Sequence, residues 1–292
     1  MIEEFLNYLK YERRCSDLTI KGYGRDLYEF QAFFKHIDDQ LSFAAVDADI
    51  IRDWMESMMD KGNSATSINR RLSALRSFYR FALSAGLVDK DPSHEVKGPK
   101  KSKTLPMFLK EREMNELLDV VEWHDDFKDV RARTILLLFY STGMRLAELI
   151  GLNDESVDFV NRQIKVLGKR DKQRLIPFSK ELDVDLHRYM TVRDSQRPRQ
   201  GHALFVDDHG QRMNRNQVQY LVRKNLSRVS TLKKRSPHVL RHTFATAMLN
   251  HEANLEGVKR LLGHESLATT QIYTHTTFEQ LKKTYDNAHP RA

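Results

Sequence analysis

The stretch from Ser236 to Tyr273, SPHVLRHTFATAMLNHEANLEGVKRLLGHESLATTQIY, constrains this chain more than any other. It sets His238, Arg241, His242, His264 and Tyr273 into a background that otherwise reads as apolar helix. His238 and Arg241 are three apart, so a helix puts them on one face. Pro237 suits the first turn of that helix, with Ser236 as its cap. Leu240, Phe244, Ala247 and Met248 carry the apolar side at helical spacing. A second short helix, Leu255 to Leu262, ends at Gly263, a residue suited to the left-handed C-terminal position. His264 follows directly, where a helix end can present it. Tyr273 comes nine residues later, beyond a turn or helix started by Ser266.

The chemistry this set suggests is attack on a phosphodiester. A phosphoryl group in transfer gathers negative charge on its non-bridging oxygens, and Arg241, His238 and His264 can donate to them. Tyr273 is the candidate nucleophile. A tyrosine with its reference pKa near ~10 is only about 0.1% ionised at neutral pH, so it needs a base and a cationic pocket. Taken singly, a helical His or Arg is more often a surface or capping group, and a single Tyr more often core. His238 and His242, four apart, also have the spacing of a metal pair. Arg241 between them and the cationic surroundings oppose a metal ion, and the ordered set outweighs the separate readings.

HVLRHTFAT, then LLGH, then Tyr273 nine residues on closely resembles the C-terminal signature of the tyrosine recombinases, the phage-integrase family. STGMRLAELIGL resembles the family's first catalytic box, TG-x-R-x-x-E-L. The final HPRA resembles the ending of the Xer branch. The resemblance covers nearly the whole chain and is strongest from Ser141 to Asn153 and from Ser236 to Tyr273. It implies a mainly α fold with a small antiparallel β-sheet, arranged as a two-domain clamp on DNA.

Composition agrees with a soluble, helical, polyanion-binding protein. The chain has 292 residues, enough for two cores, with few Gly and Pro. Its net charge of +8 is unevenly placed. Residues 1–95 hold 13 Lys and Arg against 16 Asp and Glu, a net of −3, and the remainder hold 35 against 24, a net of +11. The basic part contains the candidate chemistry, which points to a polyanionic partner. The longest apolar run, Ile135 to Tyr140, is far too short to cross a bilayer. Acidic groups in MIEEFLNYLK are unlike a secretion signal, and the single Cys15 allows no intrachain disulfide, so a cytoplasmic location is expected.

Residues 1–90 read as four helices, expected to form an N-terminal core-binding (DNA-binding) domain. The second follows Asp17 or Thr19, Asp47 or Asp49 caps the third, and Ser64 caps the fourth. On the fourth, Ile68, Leu72, Leu75 and Tyr79 form an apolar row, and Asn69, Ser73, Arg76 and Arg80 a polar one. That polar row is either a solvated face or a face on DNA phosphates. Thr19, Tyr23 and Asp26-Leu27 match the family's N-terminal domain more loosely. Residues 91–106 hold three prolines and lack periodicity, which signals a basic linker. Lys97, Lys100, Lys101 and Lys103 there suit phosphates, with plain linker solubility as the competing account.

Residues 107–292 are expected to form the catalytic domain. Arg145 and Glu148 are three apart and share a helix face, which by itself implies only an ion pair. SVDFVNRQIKVLGKRDKQRLIPFS alternates as strands through Val157, Phe159, Ile164, Val166, Leu175, Ile176 and Phe178, with a hairpin turn from Gly168 to Lys172. Arg212, Arg215, Arg223, Lys224, Arg228, Lys233, Lys234 and Arg235 are basic residues that suit a DNA groove or a solvated face. In the tail, Phe278, Leu281 and Tyr285 form an apolar row.

The resemblance assigns roles. Arg145, Arg241 and His264 would bind the scissile phosphate, with Glu148 buttressing Arg145. His238 would take the proton of Tyr273, and Tyr273 would hold the 3′ phosphate covalently, without ATP, metal or cofactor. Lys169 would protonate the leaving 5′ oxygen. Arg170 stands where the family often has glycine, so Lys172 is the neighbouring alternative. The implied partners are double-stranded DNA bearing a specific site and the protein itself as a tetramer on two sites. The Xer branch adds a sister recombinase, a division-associated DNA translocase and the resolution of chromosome or plasmid dimers. Docking of the tail row on a neighbouring copy would join protomers, with packing on its own domain as the alternative. Two other readings use the same scaffold: a type IB topoisomerase, separated only by the fate of the cut strand, and a DNA-binding regulator that needs no intact catalytic set.

Overall fold

The computed structural model describes residues 1–100, 107–168, 173–197, 201–263 and 275–292. The chain divides into two compact units, Met1–Thr104 and Leu105–Ala292. The described residues are mainly helical, with one three-stranded antiparallel sheet. None of the described helices is long and apolar enough to cross a membrane.

The first unit holds α1 (Ile2–Tyr11), α2 (Asp17–Ile37), α3 (Ala48–Asp60) and α4 (Ala65–Ser84), and the last three start where short polar side chains cap them. Asp47 Oδ1 accepts from the Asp49 and Ile50 amides at 3.0 and 3.0 Å. Ser64 Oγ accepts from the Ser67 amide at 3.3 Å. The cap of α2 is Ser16, one residue ahead of the expected start. Phe5, Phe30, Phe34, Phe43, Trp54 and Phe78 fill the core between them. Phe43 and Phe78 lie 4.6 Å apart, a tilted pair of the kind that adds about 1 kcal/mol beyond burial.

Residues 91–99 lie against α4. Pro92, Ser93 and Val96 are buried, and Val96 belongs to the core of this unit. Arg76 Nη2 donates to the Val96 carbonyl at 2.7 Å and Asn69 Nδ2 to that of Pro99 at 2.8 Å. Gly98 permits the approach, because a Cβ there would sit 2.2 Å from Asn69 Oδ1. The linker expected from composition is therefore not free over these residues: Asn69 and Arg76 of the α4 polar row satisfy the Ser93, Val96 and Pro99 carbonyls.

The second unit is built around α6 (Phe127–Thr142), which follows the short α5 (Glu111–Asn115) and is buried almost all round. A helix buried on nearly every side, with the apolar run Ile135–Tyr140 at its centre, has to be a central element. It packs against α8 (Lys180–Gln196), α9 (Arg215–Leu226) and α10 (Pro237–Asn250). Gly143 ends α6 in the left-handed conformation, φ 58°, and α7 (Leu146–Ile150) starts three residues on. The sheet runs β1 (Val157–Asp158), β2 (Gln163–Leu167), β3 (Gln173–Pro177), pairing Ile164 with Ile176 and Val166 with Arg174. The tip of the β2–β3 hairpin, with Lys169 and Lys172, lies outside the described residues.

A smaller core joins α10, α11 (Leu255–Leu262) and α12 (His275–Ala288) through Phe244, Met248, Val258, Leu261, Leu262, Leu281 and Tyr285. Two of the three tail-row residues, Leu281 and Tyr285, are thus buried against their own chain at 4% and 0% exposure, while Phe278 is half-buried. That leaves neither of these two side chains free for a neighbouring copy in this arrangement. His289 continues the contact, its Nε2 donating to the Tyr140 carbonyl at 3.2 Å and its Nδ1 accepting from the Arg291 amide at 3.1 Å. Arg291 Nη1 pairs with both carboxylate oxygens of Glu181 at 2.8 and 3.0 Å.

Candidate active site

Gly143 and Gly263 are where two helices end and the site begins. Both adopt positive φ, so α6 and α11 each close in a left-handed residue that leaves carbonyls without helical partners. Three guanidinium groups take up those at α11 in succession. Arg174 Nε donates to Leu261 O at 3.2 Å, Arg241 Nη2 to Leu262 O at 2.7 Å, and Arg145 Nη2 to Gly263 O at 2.8 Å. Arg241 Nη1 also reaches Gly143 O at 2.6 Å, tying the two helix ends together.

Glu148, buried on α7, is the anion among these cations. Its Oε2 accepts from the Arg145 amide at 2.7 Å, closing the first turn of α7, and its Oε1 from Arg145 Nη1 at 2.9 Å. Arg174 grips both oxygens, at 2.5 and 2.9 Å. Burial pushes the Glu148 carboxyl up, but the hydrogen bonds and charge of Arg174, with those of Arg145, hold it below the ordinary value. Arg241 is pushed down to about 10 by burial and by the nearby Arg145 and Arg174 charges, against the pull of Glu148. It is still charged at neutral pH. Three arginines and one carboxylate leave the cluster with two surplus positive charges, an arrangement that suits a phosphate.

His238 stands on the exposed side of the first turn of α10, while Arg241 on the next turn is buried. Partial burial and the charges of His242, Arg241, Arg215 and Lys234 lower the His238 pKa. The lowering favours the neutral ring, the form in which a histidine can act as a base. Ser236 occupies the N-cap of α10 without a side-chain cap hydrogen bond, and Pro237 holds the first turn. His242 is exposed one turn along.

The structure thus gathers Arg145, Glu148 and Arg241 in one cluster, with His238 on the same helix as Arg241. His264 and Tyr273 lie outside the described residues, as do Lys101 and Lys103. Arg215, Arg223, Lys233 and Lys234 are exposed and Arg235 partly buried. In the first unit, Ser73, Arg80 and Lys100 are exposed, whereas Asn69 and Arg76 are spent on main-chain carbonyls. Tyr285, the next tyrosine that could replace Tyr273, is fully buried and its pKa raised by that burial, which unfits it as a nucleophile.

Arg174 is absent from the sequence reading. Its signal was there: Ile164 and Val166 on β2 and Ile176 on β3 fix which face is inward, and position 174 shares it. A charged residue at an inward strand position needs a buried partner.

A helical N-terminal unit, and a second unit whose helix ends and small sheet converge arginines on one carboxylate, are the architecture of an integrase-type protein. The chain belongs to the phage integrase family, whose description matches residues 107–280, and residues 2–86 match the phage integrase N-terminal SAM-like domain. It is Xer-like within that family. It is 40% identical over 291 residues to the tyrosine recombinase XerC of Staphylococcus carnosus, covering 99% of this chain and 97% of that protein. To the tyrosine recombinase XerD of Oceanobacillus iheyensis it is 34% identical, covering 100% and 98%. Its fold is similar to the XerH site-specific recombinase bound to its difH substrate, with a TM-score of 0.70 at 23% identity, covering 97% of this chain and 83% of that one.

Proposed function

We propose that this protein is a site-specific DNA recombinase that cuts and rejoins strands through a tyrosine-linked intermediate. The observation that carries the reading is the arginine cluster around Glu148, a preformed, positively charged site inside a family fold, in which Arg145 and Arg241 keep N–H groups beyond those bonded to protein. In the reaction, Tyr273 Oη forms a bond to the scissile phosphorus, its proton passing to neutral His238. The bond from phosphorus to the 5′ oxygen breaks, and Lys169 supplies the proton that oxygen needs, with Lys172 as its neighbour. Arg145, Arg241 and His264 hold the non-bridging oxygens. Attack by another strand's 5′ hydroxyl then releases Tyr273, so the energy of the broken bond is retained and no ATP is required.

Residues 1–90 act as the core-binding unit and residues 107–292 as the catalytic unit. Ser73, Arg80, Lys100, Arg215, Arg223, Lys233, Lys234 and Arg235 serve as phosphate contacts. Asn69 and Arg76 serve DNA indirectly, by fixing where the chain leaves α4. Exchange between two duplexes breaks four strands with one tyrosine per chain, which requires four copies on two sites. A sister recombinase and a division-associated translocase fit the same cytoplasmic role in resolving chromosome or plasmid dimers.

The test is the covalent adduct. Tyr273→Phe should bind a target duplex as tightly as the parent and form no denaturant-resistant protein–DNA complex. An adduct that survives in this variant would place the nucleophile elsewhere and overturn the reading. Relaxation of supercoiled DNA by single copies without exchange between sites would assign a topoisomerase instead.

A further inference from the structure

Glu148 poses an electrostatic problem that its role as a buttress does not solve. A buried carboxylate paired only with Arg145 would orient that arginine and also cancel its charge, competing with the phosphate that Arg145 is there to bind. The structure removes the conflict from behind. Arg174, 7% exposed on β3, puts two N–H groups on the two oxygens of Glu148 at 2.5 and 2.9 Å. With the amide and Nη1 of Arg145, the carboxylate then receives four N–H donors and has no lone pair left to draw on. The Arg145 side chain remains 39% exposed, on the open side of the cluster.

Arg174 does more than neutralise. Its Nε holds Leu261 O at 3.2 Å, next to the carbonyls held by Arg241 and Arg145. Its Cδ, Nε and Nη1 also approach the position a Gly263 Cβ would occupy to 3.2 Å, so the guanidinium packs directly on that turn. One planar fork therefore fixes β3, α7 and the end of α11 together, which a lysine's single ammonium cannot reproduce.

We infer that Arg174 is a positioning residue for strand cleavage: it takes up the charge of Glu148 and locks the α11 turn, so that Arg145 keeps its orientation and its full charge for the scissile phosphate. The inference rests on the recombinase reading above. Arg174 touches no substrate atom and acts only through Arg145 and Glu148.

The experiment compares adduct formation in a single turnover on two duplexes. One carries a normal scissile phosphate, and the other a methylphosphonate, in which a neutral methyl group replaces one charged oxygen. In the full-length protein, Arg174→Gln should bind both duplexes like the parent but form adduct about 10²-fold more slowly on the phosphate. On the methylphosphonate that deficit should largely disappear, as it should for Arg145→Ala, because the charge Arg145 answers is absent. A deficit of equal size on both linkages, or none on either, would sink the inference. Arg174→Lys keeps the charge and covers the case in which the Gln variant does not fold. It should show a smaller deficit with the same dependence on the linkage. Loss of the folded state in both variants would make Arg174 a purely structural residue and overturn the assignment. An unsubstituted protein that forms adduct on neither duplex would instead overturn the recombinase reading itself.

Discussion

Gly143 shows how much one backbone position can carry. It sits at φ 58°, its carbonyl receives Arg241 at 2.6 Å, and an added Cβ would lie 2.4 Å from Phe244 Cδ1 and 2.9 Å from Leu262 Cδ2. Gly143→Ala therefore combines left-handed strain with overpacking, for an expected loss of about 2–3 kcal/mol in urea unfolding. Adduct formation should fall by more than that stability loss explains, since the displaced Phe244 and Leu262 flank Arg241. A variant with parental stability would mean the turn relaxes freely. His238 and Arg241 differ in what the sequence could say of them. Their common helix face was legible from a spacing of three, but the burial of one and exposure of the other was not. That depends on what packs above α10.

At the scale of elements, α12 is fastened by its last residues as much as by its apolar row. His289 lies 5% exposed against Tyr140, Phe244 and Tyr285, and its two hydrogen bonds specify the neutral ring with the proton on Nε2. Burial, then the charges of Arg291 and His251, lower its pKa from 6.5 to about 4, although the bond to the Tyr140 carbonyl acts the other way. The unfolded chain takes up this proton and the folded chain does not. The contribution is thus present in full above about pH 7 and is lost as pH falls from about 6.5 toward 4, about 1 kcal/mol of it by pH 5.5. His289→Phe keeps the aromatic contacts and should flatten that part of the stability profile. An identical pH dependence in parent and variant would show that His289 titrates normally. The apolar row of this helix was plain in the sequence. Its docking on its own chain was not, because a row of Leu281 and Tyr285 reads the same whichever copy covers it.

For the whole molecule, two units with separate cores predict two unfolding events. One core is the aromatic cluster of α1 to α4, the other the shell around α6. Calorimetry should resolve two transitions, or one broader than a single cooperative step allows. Phe78→Ala, at 0% exposure, should lower only one of them, by about 3–5 kcal/mol. A single transition with equal calorimetric and van't Hoff enthalpies would mean that the units unfold as one.

What the sequence determined by itself was local and periodic. Helix starts followed from Asp47 and Ser64, and the ends of α6 and α11 from Gly143 and Gly263. Those signals need only neighbours three or four residues away, as did the Arg145–Glu148 ion pair, whereas its catalytic reading came from the family resemblance. What the tertiary structure alone decided was which distant groups meet. Arg174 is 26 residues from Glu148 and 87 from Leu261. Asn69 and Arg76, on a row whose sequence fitted solvent or DNA equally, bond the carbonyls of Ser93, Val96 and Pro99. An arginine side chain carries the same charge wherever it stands in a sequence. Only folding chooses whether a phosphate, a carboxylate or a helix end receives it.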